Sequence, residues 1–393
     1  MRLLEYQGKE LFAKAGIPVP PGRVAATVED AVQIMHDNPV PSAVKAQVLI
    51  GGRGKAGGIK FATNEDDVKE PAKAILGMNI KGEIAKRVLI EQRMDIDKEL
   101  YVSITVDRAS KRPIVIASAM GGMDIEEVAA TNPSAIAKYA INPAAGYWPF
   151  VGRRIAADAK IPAQAVSQFV DILGRLYTLF FDVGAMLLEI NPLAITKDGK
   201  LIASDAKVDI DDNGLIRHPQ FDAWRTDLPD DPLEQRARQT KLNYAYLSGK
   251  GNESVGVIGN GAGLVMATMD AVRAAGGEAT DFCDIGGGAR ADVVRNAVDI
   301  VTADPRVKVL FMNIFGGITR GDEVARGLIA ALDGGGWKKD RLVVRLTGTN
   351  EREGRAVLEE AGIAAVETMN EGAARAVALA KSIPTARNVA ADL

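Results

Sequence analysis

Histidine is nearly absent from this sequence: 393 residues hold only His36 and His218. His36 falls in the polar helical segment VEDAVQIMHDN and His218 precedes Pro219 in a turn, so neither stands in a glycine-rich or acidic cluster suited to catalysis. Cysteine is scarcer still. The single Cys283 excludes an internal disulfide and a cysteine-rich metal cluster, and fits a reducing compartment. No apolar run approaches the ~20 residues that span a bilayer. The opening MRLLEYQGKELFAKAGIPVP spreads Arg2, Glu5, Lys9, Glu10 and Lys14 through what would be the core of a signal peptide. A cytoplasmic protein is expected. The net charge of -3 gives neither nucleic acid nor an anionic membrane a reason to be the main partner.

What is present is the ordinary make-up of a soluble protein, 47% apolar and 25% charged, in a chain long enough for two well-filled domains. The first half reads as mixed α and β. A helix over about 4–15 ends at Gly16, and Thr27 with Asp30 three residues on starts a second helix in the manner of a capping box. Strands follow at SAVKAQV, GIKFA, RVLIEQRM, ELYVSITVDR and RPIVIASAM, then a helix around 163–180 and a β-hairpin at 186–209. The Asp- and Pro-rich stretch 210–253 reads as an inter-domain connection. Beyond it SVGVI, ATDFCDI, VKVLFMNIF, RLVVRL and AAVETM are each followed by a helical segment, the pattern of a doubly wound parallel sheet.

Two glycine loops invite a phosphate. Gly52-Arg53-Gly54-Lys55-Ala56-Gly57 spells G-x-G-x-x-G, but IKFA follows it, so the context is strand, loop, strand, and no helix N-terminus is available for a pyrophosphate. A Walker loop fails too, with Leu49 and Ala56 at positions that need Gly and Ser or Thr. A glycine hairpin able to fold over phosphates remains, with Lys45 as a charge on the incoming strand and few side chains that could pack. The alternative is a flexible basic turn that binds nothing. The second loop, VIGNGAGLVMATMDAV, lacks the fingerprint spacing of glycines but does run from strand to helix. Backbone N–H groups at a helix start near Gly261 would attract an anion, unless the glycines serve close packing alone.

LLEINPLAITKDGKLIASDAKVDID carries the most chemistry. A three-residue loop Lys197-Asp198-Gly199, with Gly199 left-handed, sets Thr196 opposite Lys200, Asn191 opposite Asp205 and Glu189 opposite Lys207. One ribbon face then holds an amide oxygen, two carboxylates and an ammonium. A two-residue loop would put Asn191 and Asp205 on opposite faces. A few hard oxygen ligands that leave places for phosphate and water suit nucleotide-bound magnesium. Glu91 and Glu99, around QRMDIDK, could accept bonds from a ribose or a base amine.

With these pieces in place, the stretches LLEYQGKELFAKAGIPVP, VKAQVLIGGRGKAGG, DIDKELYV, GGMDIEEVA, LLEINPLAITKDG, NGAGLVMATMDAV, DIGGGA and NIFGGITR together resemble the succinyl-CoA synthetase (succinate–CoA ligase) β-subunit family over essentially the whole chain. The resemblance implies a two-part ATP-grasp domain over 1–237, with a lid subdomain at about 21–102, and a flavodoxin-like domain over 246–393 that meets an α subunit. It implies nucleotide binding by Lys45, Gly52, Arg53, Gly54, Glu91, Met94 and Glu99, and magnesium held with ATP or ADP by Asn191 and Asp205, one ion per β subunit. Glu189 falls on a catalytic carboxylate near the phosphoryl-transfer site, and Asn260, Gly317, Ile318 and Thr319 on substrate-binding positions. The implied reaction makes succinyl-CoA reversibly from succinate, CoA and a nucleoside triphosphate through a phosphohistidine. That histidine and the main CoA site belong to the α subunit, which gives the histidine poverty a reason and makes this chain active only with its partner.

Other readings keep a place beside this one. A dinucleotide-binding module would rest on GNGAG, but no acidic residue closes a second strand about 20 residues on. A self-contained ATP-grasp ligase would leave the last third of the chain without a task. A malate–CoA ligase β subunit shares the architecture, although FGGITR is more like the succinate form. Pro20, near the expected base pocket, is more like the ATP-using members, and GTP with GDP stays open.

Overall fold

The computed structural model describes residues 1–225, 231–247, 254–335 and 337–383. The chain divides into two units, Met1–Pro229 and Asp230–Leu393.

The first unit opens with α1 (Glu5–Lys14), β1 (Gly22–Ala25), α2 (Val28–Asp37), β2 (Ser42–Ala46), β3 (Ile59–Ala62), α3 (Lys69–Ile75), β4 (Asn79–Ile80), β5 (Glu83–Ile84) and β6 (Val88–Gln92). Thr27 caps α2 as the sequence predicts, accepting from Asp30 N while the Asp30 carboxylate takes the Thr27 N–H. Strands β1, β6, β2 and β3 form an antiparallel sheet in that order, with Ile34, Met35, Val44, Ile75, Val88 and Ile90 in its core.

A second sheet follows from β7 (Ile96–Asp107), β8 (Arg112–Ser118), α4 (Ile125–Thr131), β9 (Ile136–Ala140), α5 (Pro149–Asp158), α6 (Val166–Asp182), β10 (Ala185–Thr196), β11 (Leu201–Ala203) and β12 (Lys207–Ile210). Its order is β11-β10-β7-β8-β9, with β12 also paired to β10. Apolar residues at helical spacing in α6, among them Phe169, Leu173, Leu176 and Phe180, share a core with Leu188 and Ile190 of β10. A short helix, α7 (Asp222–Arg225), ends the described part of this unit.

The second unit runs α8 (Pro232–Gln239), β13 (Asn243–Tyr246), β14 (Val255–Gly259), α9 (Ala262–Ala274), β15 (Asp281–Asp284), α10 (Ala291–Val301), β16 (Val309–Gly316), α11 (Gly321–Gly335), β17 (Leu342–Gly348), α12 (Glu351–Glu360), β18 (Ala365–Val366) and α13 (Met369–Ser382). The sheet order is β13-β15-β14-β16-β17-β18, parallel except for the edge strand β13. Without that edge strand, chain order reads 2-1-3-4-5, the flavodoxin-like doubly wound arrangement expected from the sequence. Alternate residues of the central strands serve two cores. Val257 and Phe311 face one, with Val272 of α9 and Ala376 of α13, while Ile258 and Met312 face the other, with Val298 of α10 and Leu328 of α11.

The stretch 210–253 is not a connection throughout. Helix α8 is capped by Asp231 and buries Ala237, and β13 pairs with β15, so both belong to the second unit. Residues 226–230 and 248–253 lie outside the described residues. Among the described residues no helix is long and apolar enough to cross a membrane.

Candidate functional site

The glycine loop joins β2 to β3 with Val44 opposite Lys60 and Lys45 opposite Ile59, strand to strand as its sequence context requires. It closes on itself: the Gly58 N–H donates to Arg53 O at 2.8 Å, and Gly52 and Gly57 take φ of +79° and +77°. The expectation that little in this loop could pack is corrected at Arg53. Its side chain is 8% exposed, and one nitrogen donates to Glu5 Oε2 at 2.5 Å while the other forks onto both oxygens of Asp205 at 2.9 and 2.8 Å. At the tip, Lys55 pairs with Asp124 at 3.1 Å.

Beneath the loop lies a buried ionic cluster that draws on four segments. Lys45 donates to Glu91 at 2.6 Å and to Glu5 at 3.2 Å, Lys9 lies 2.8 Å from Glu5 and also bonds Glu91, and both lysines donate to Ser204 O at 2.8 Å. With Arg53 and Asp205 included, Lys9, Lys45 and Arg53 face Glu5, Glu91 and Asp205, so the formal charges cancel. Burial would push the Glu5 carboxyl up, but Arg53, Lys45 and Lys9 hold it well below the ordinary carboxylate range. Burial likewise opposes the Lys45 charge, and Glu5 and Glu91 more than restore it.

Glu5 and Lys9 carry no role in the sequence reading, because an acid and a lysine four apart on a helix usually make a solvated surface pair. A helical wheel holds the missing signal: Glu5, Gly8, Lys9 and Phe12 share one face of α1, and all four are buried. Gly8 lets that face approach, since a Cβ there would lie 3.0 Å from the Ala206 Cβ.

The β10 hairpin has the register counted from its loop. Ile195 pairs with Leu201, Leu193 with Ala203 and Glu189 with Lys207, and Gly199 has φ +81°. Glu189 is 17% exposed, 3.9 Å from Lys207 Nζ, and accepts from Tyr101 OH at 3.2 Å. Burial raises its carboxyl against the pull of Lys207 and Tyr101. Asn191 accepts from Gly122 N at 2.8 Å and donates to Met123 O at 2.9 Å.

Glu5, Arg53, Glu189, Asn191, Asp205 and Lys207 line one cavity of about 320 Å³ together with the glycine loop. Its oxygen donors are an amide and carboxylates, hard ligands of the type magnesium takes with phosphate and water, so these residues fit that ion. A second cavity, about 330 Å³, is bounded by Pro20, Pro21, Arg93, Met94 and Ile202. Met94 therefore lies apart from the ionic cluster, while Lys45 and Glu91 lie within it. Glu99 is exposed, packs its carboxylate against Gly122 and lines neither cavity. A larger groove of about 1130 Å³ beside α1, α5 and α6 contains none of the expected site residues.

In the second unit, Asn260 follows β14, and Gly317, Ile318 and Thr319 follow β16, at the adjacent carboxyl ends where the strand order reverses. Open α/β sheets bind ligands at such a switch point. Asn260 is a bracket there: its Oδ1 accepts from Phe315 N at 2.9 Å, and its Nδ2 donates to Phe315 O at 2.8 Å and Thr319 Oγ1 at 3.3 Å. Thr319 is buried and accepts from Gly288 N at 2.9 Å, whereas Ile318 is 85% exposed. Helix α9 starts one residue after Gly261, whose N–H goes to Asp284 Oδ1 at 2.6 Å, so part of that helix's demand for an anion is met within the chain. His36 pairs with Glu65 and His218 stacks on Phe221, both away from the two cavities.

The ATP-grasp domain family matches residues 2–195 and the CoA-ligase family matches residues 258–379. The fold resembles the ATP citrate lyase of Methanothrix soehngenii, with a TM-score of 0.72 at 18% identity over 97% of this chain and 99% of that one. A GDP-forming succinate–CoA ligase β subunit of Thermus thermophilus is 47% identical over 96% of this chain and 99% of its own length. The ADP-forming β subunits of Natronomonas pharaonis and Pyrobaculum aerophilum are 45% and 44% identical, each over 97% of this chain and 99% and 100% of theirs. At that identity and coverage, the chain belongs to the family of succinate–CoA ligase β subunits.

Proposed function

We propose that the chain is the nucleotide-binding β subunit of a succinate–CoA ligase, passing a phosphoryl group between a nucleotide and a histidine of an α subunit. The observation that carries this reading is the meeting of Asn191, Asp205 and Glu189 with Arg53 and the glycine loop around one cavity. Arg53 and Lys45 supply fixed positive charge for phosphates, and the sheet β1-β6-β2-β3 with its loop is the lid. Asn191 and Asp205 hold the magnesium ion, which when bound neutralises phosphate charge. Glu189, 3.9 Å from Lys207 in the same cavity, is the carboxylate near the phosphoryl-transfer site.

The Pro20–Met94 cavity suits the base, with Met94 offering backbone contact. Proline at position 20 brings no side-chain hydrogen bond with which to read guanine, which favours ATP with ADP as the nucleotide pair. The loops at Asn260 and at Gly317, Ile318 and Thr319 contribute to the succinate site, beside the exposed Phe315 and Ile318 that an α subunit would cover. Neither histidine of the chain lies near either cavity, so the phosphorylated histidine, like the main CoA site, is the partner's. The buried free thiol of Cys283 suits a cytoplasmic enzyme.

The test is an assay of the co-purified α–β complex with succinate, malate and itaconate, each with ATP and with GTP. Succinate with ATP should give the fastest acyl-CoA formation. The isolated chain should bind magnesium-ADP and turn nothing over. Acyl-CoA made by the isolated chain would overturn the division of labour.

A further inference from the structure

The bond between Arg53 and Asp205 joins a phosphate-binding cation to a metal-binding carboxylate. Both oxygens of Asp205 are taken by one guanidinium nitrogen, at 2.9 and 2.8 Å, and one of them also accepts the Ala206 N–H at 2.7 Å. A cation that takes Asp205 must displace this fork or share a carboxylate already neutralised by it. The other end of the guanidinium is fixed independently, by Glu5 at 2.5 Å and Ala46 O at 3.0 Å. Arg53 can therefore leave Asp205 without leaving the cleft.

Charge fixes the consequence. The five buried groups and the half-buried Asp205 balance at three cations and three anions only while Asp205 is counted with Arg53. Handing Asp205 to a metal ion leaves Lys9, Lys45 and Arg53 against Glu5 and Glu91, one positive charge in excess at the mouth of the glycine loop. An unpaired buried charge is costly, and a phosphate oxygen offered to Arg53 removes that cost.

Resting on the reading of this cavity as a magnesium-nucleotide site, we infer that Arg53 is a latch on Asp205, pivoting on Glu5 and released by nucleotide phosphate. Phosphate and metal then promote one another's binding through this one side chain. Glu5, which holds the other end of the guanidinium, is a positioning residue: it keeps the freed guanidinium over the cleft.

The test measures binding of Mn2+, standing in for magnesium, to the co-purified complex by electron paramagnetic resonance, with and without ADP. Three proteins are compared: the unaltered complex, Arg53→Gln, and Glu5→Gln/Arg53→Gln. The double variant removes one charge of each sign and so keeps the ionic cluster balanced. Opening the latch should tighten Mn2+ binding without nucleotide on the order of tenfold in both variants, and the tightening by ADP should shrink by about the same factor, leaving the part that comes from direct ligation of the ion by phosphate. If both variants bind Mn2+ alone as weakly as the unaltered complex, Arg53 does not occlude Asp205 and the latch is wrong. If only the single variant tightens, net charge and not release of Asp205 is responsible, and the latch is again wrong. If the unaltered complex binds neither ADP nor Mn2+ with ADP, the nucleotide-site reading itself falls.

Discussion

Tyr101 donates its hydroxyl to Glu189 Oε2 at 3.2 Å from the neighbouring strand β7, and its oxygen lies 3.0 Å from the Ser103 hydroxyl, which can donate to it. The tyrosine thus favours the ionised form of a carboxylate whose burial favours the neutral one. Tyr101→Phe should let Glu189 take up its proton at a higher pH. Loss of phosphoryl transfer on the acid side should therefore begin at higher pH, with magnesium-ADP affinity changed less than about fivefold, since one such hydrogen bond is worth about 1 kcal/mol or less. The pH profile of kcat for the complex checks this, and an unmoved acid limb would separate Tyr101 from Glu189.

Asp205 is one-third exposed, so its removal should not unfold the protein. Asp205→Asn gives up a charged metal ligand and half of the Arg53 fork. Magnesium-ADP affinity should fall about tenfold or more, the scale of one charged ligand. ADP without metal should bind no more weakly than before, because its phosphates no longer compete with Asp205 for Arg53. Calorimetry with and without magnesium separates the two effects, and equal magnesium dependence in variant and parent would remove Asp205 from the metal site.

The hairpin and the ionic cluster show what sequence can and cannot carry. Register in the hairpin is a local property: Gly199 sets the loop, and a period of two places Glu189, Asn191, Lys207 and Asp205. The strand-to-strand setting of the glycine loop and the five strand–helix units are local in the same way. The buried cluster is not. Glu5 and Lys9 become site residues only because β2, β6 and the segment at Ser204 and Asp205 close over α1, and no spacing within α1 names those partners. Only the shared face with Gly8 and Phe12 marks them. Asn260 entered only through the family resemblance, and its bonds to Phe315 and Thr319 depend on a loop from another strand–helix unit.

That bracket makes its own prediction. Asn260→Ala should leave the Phe315 N–H and C=O without their side-chain partner and loosen the loop through Thr319. A cost of about 1–2 kcal/mol is expected, confined to that loop. Hydrogen exchange at 315–319 should accelerate severalfold, and the KM for succinate should rise while nucleotide affinity stays the same. Unchanged exchange with impaired succinate use would make Asn260 a direct ligand and not a bracket.

Asp281 on β15 is wholly buried and its Oδ2 has no hydrogen-bond partner, while Oδ1 accepts from Thr280 Oγ1 at 2.7 Å and Val257 N at 3.2 Å. Burial pushes this carboxyl up from 3.8 to about 7, with Asp304 adding to the shift and Thr280, Val257 and Arg306 opposing it. The unpartnered oxygen is the natural place for the proton. A folded-state value above the unfolded one means that the native protein holds more protons between the two. Stability is therefore full below about pH 4, falls by about 1.4 kcal/mol per unit as pH rises towards about 7, and levels off above it. Asp281→Asn keeps an acceptor for Thr280 and Val257 and puts a neutral amide where the proton was. Taken as the difference between variant and parent, which cancels every other titrating group, thermal stability should shift in favour of the variant from pH 5 to pH 8. A difference that stays flat across that range would mean that Asp281 is ionised in the folded protein, with its charge met by Arg306.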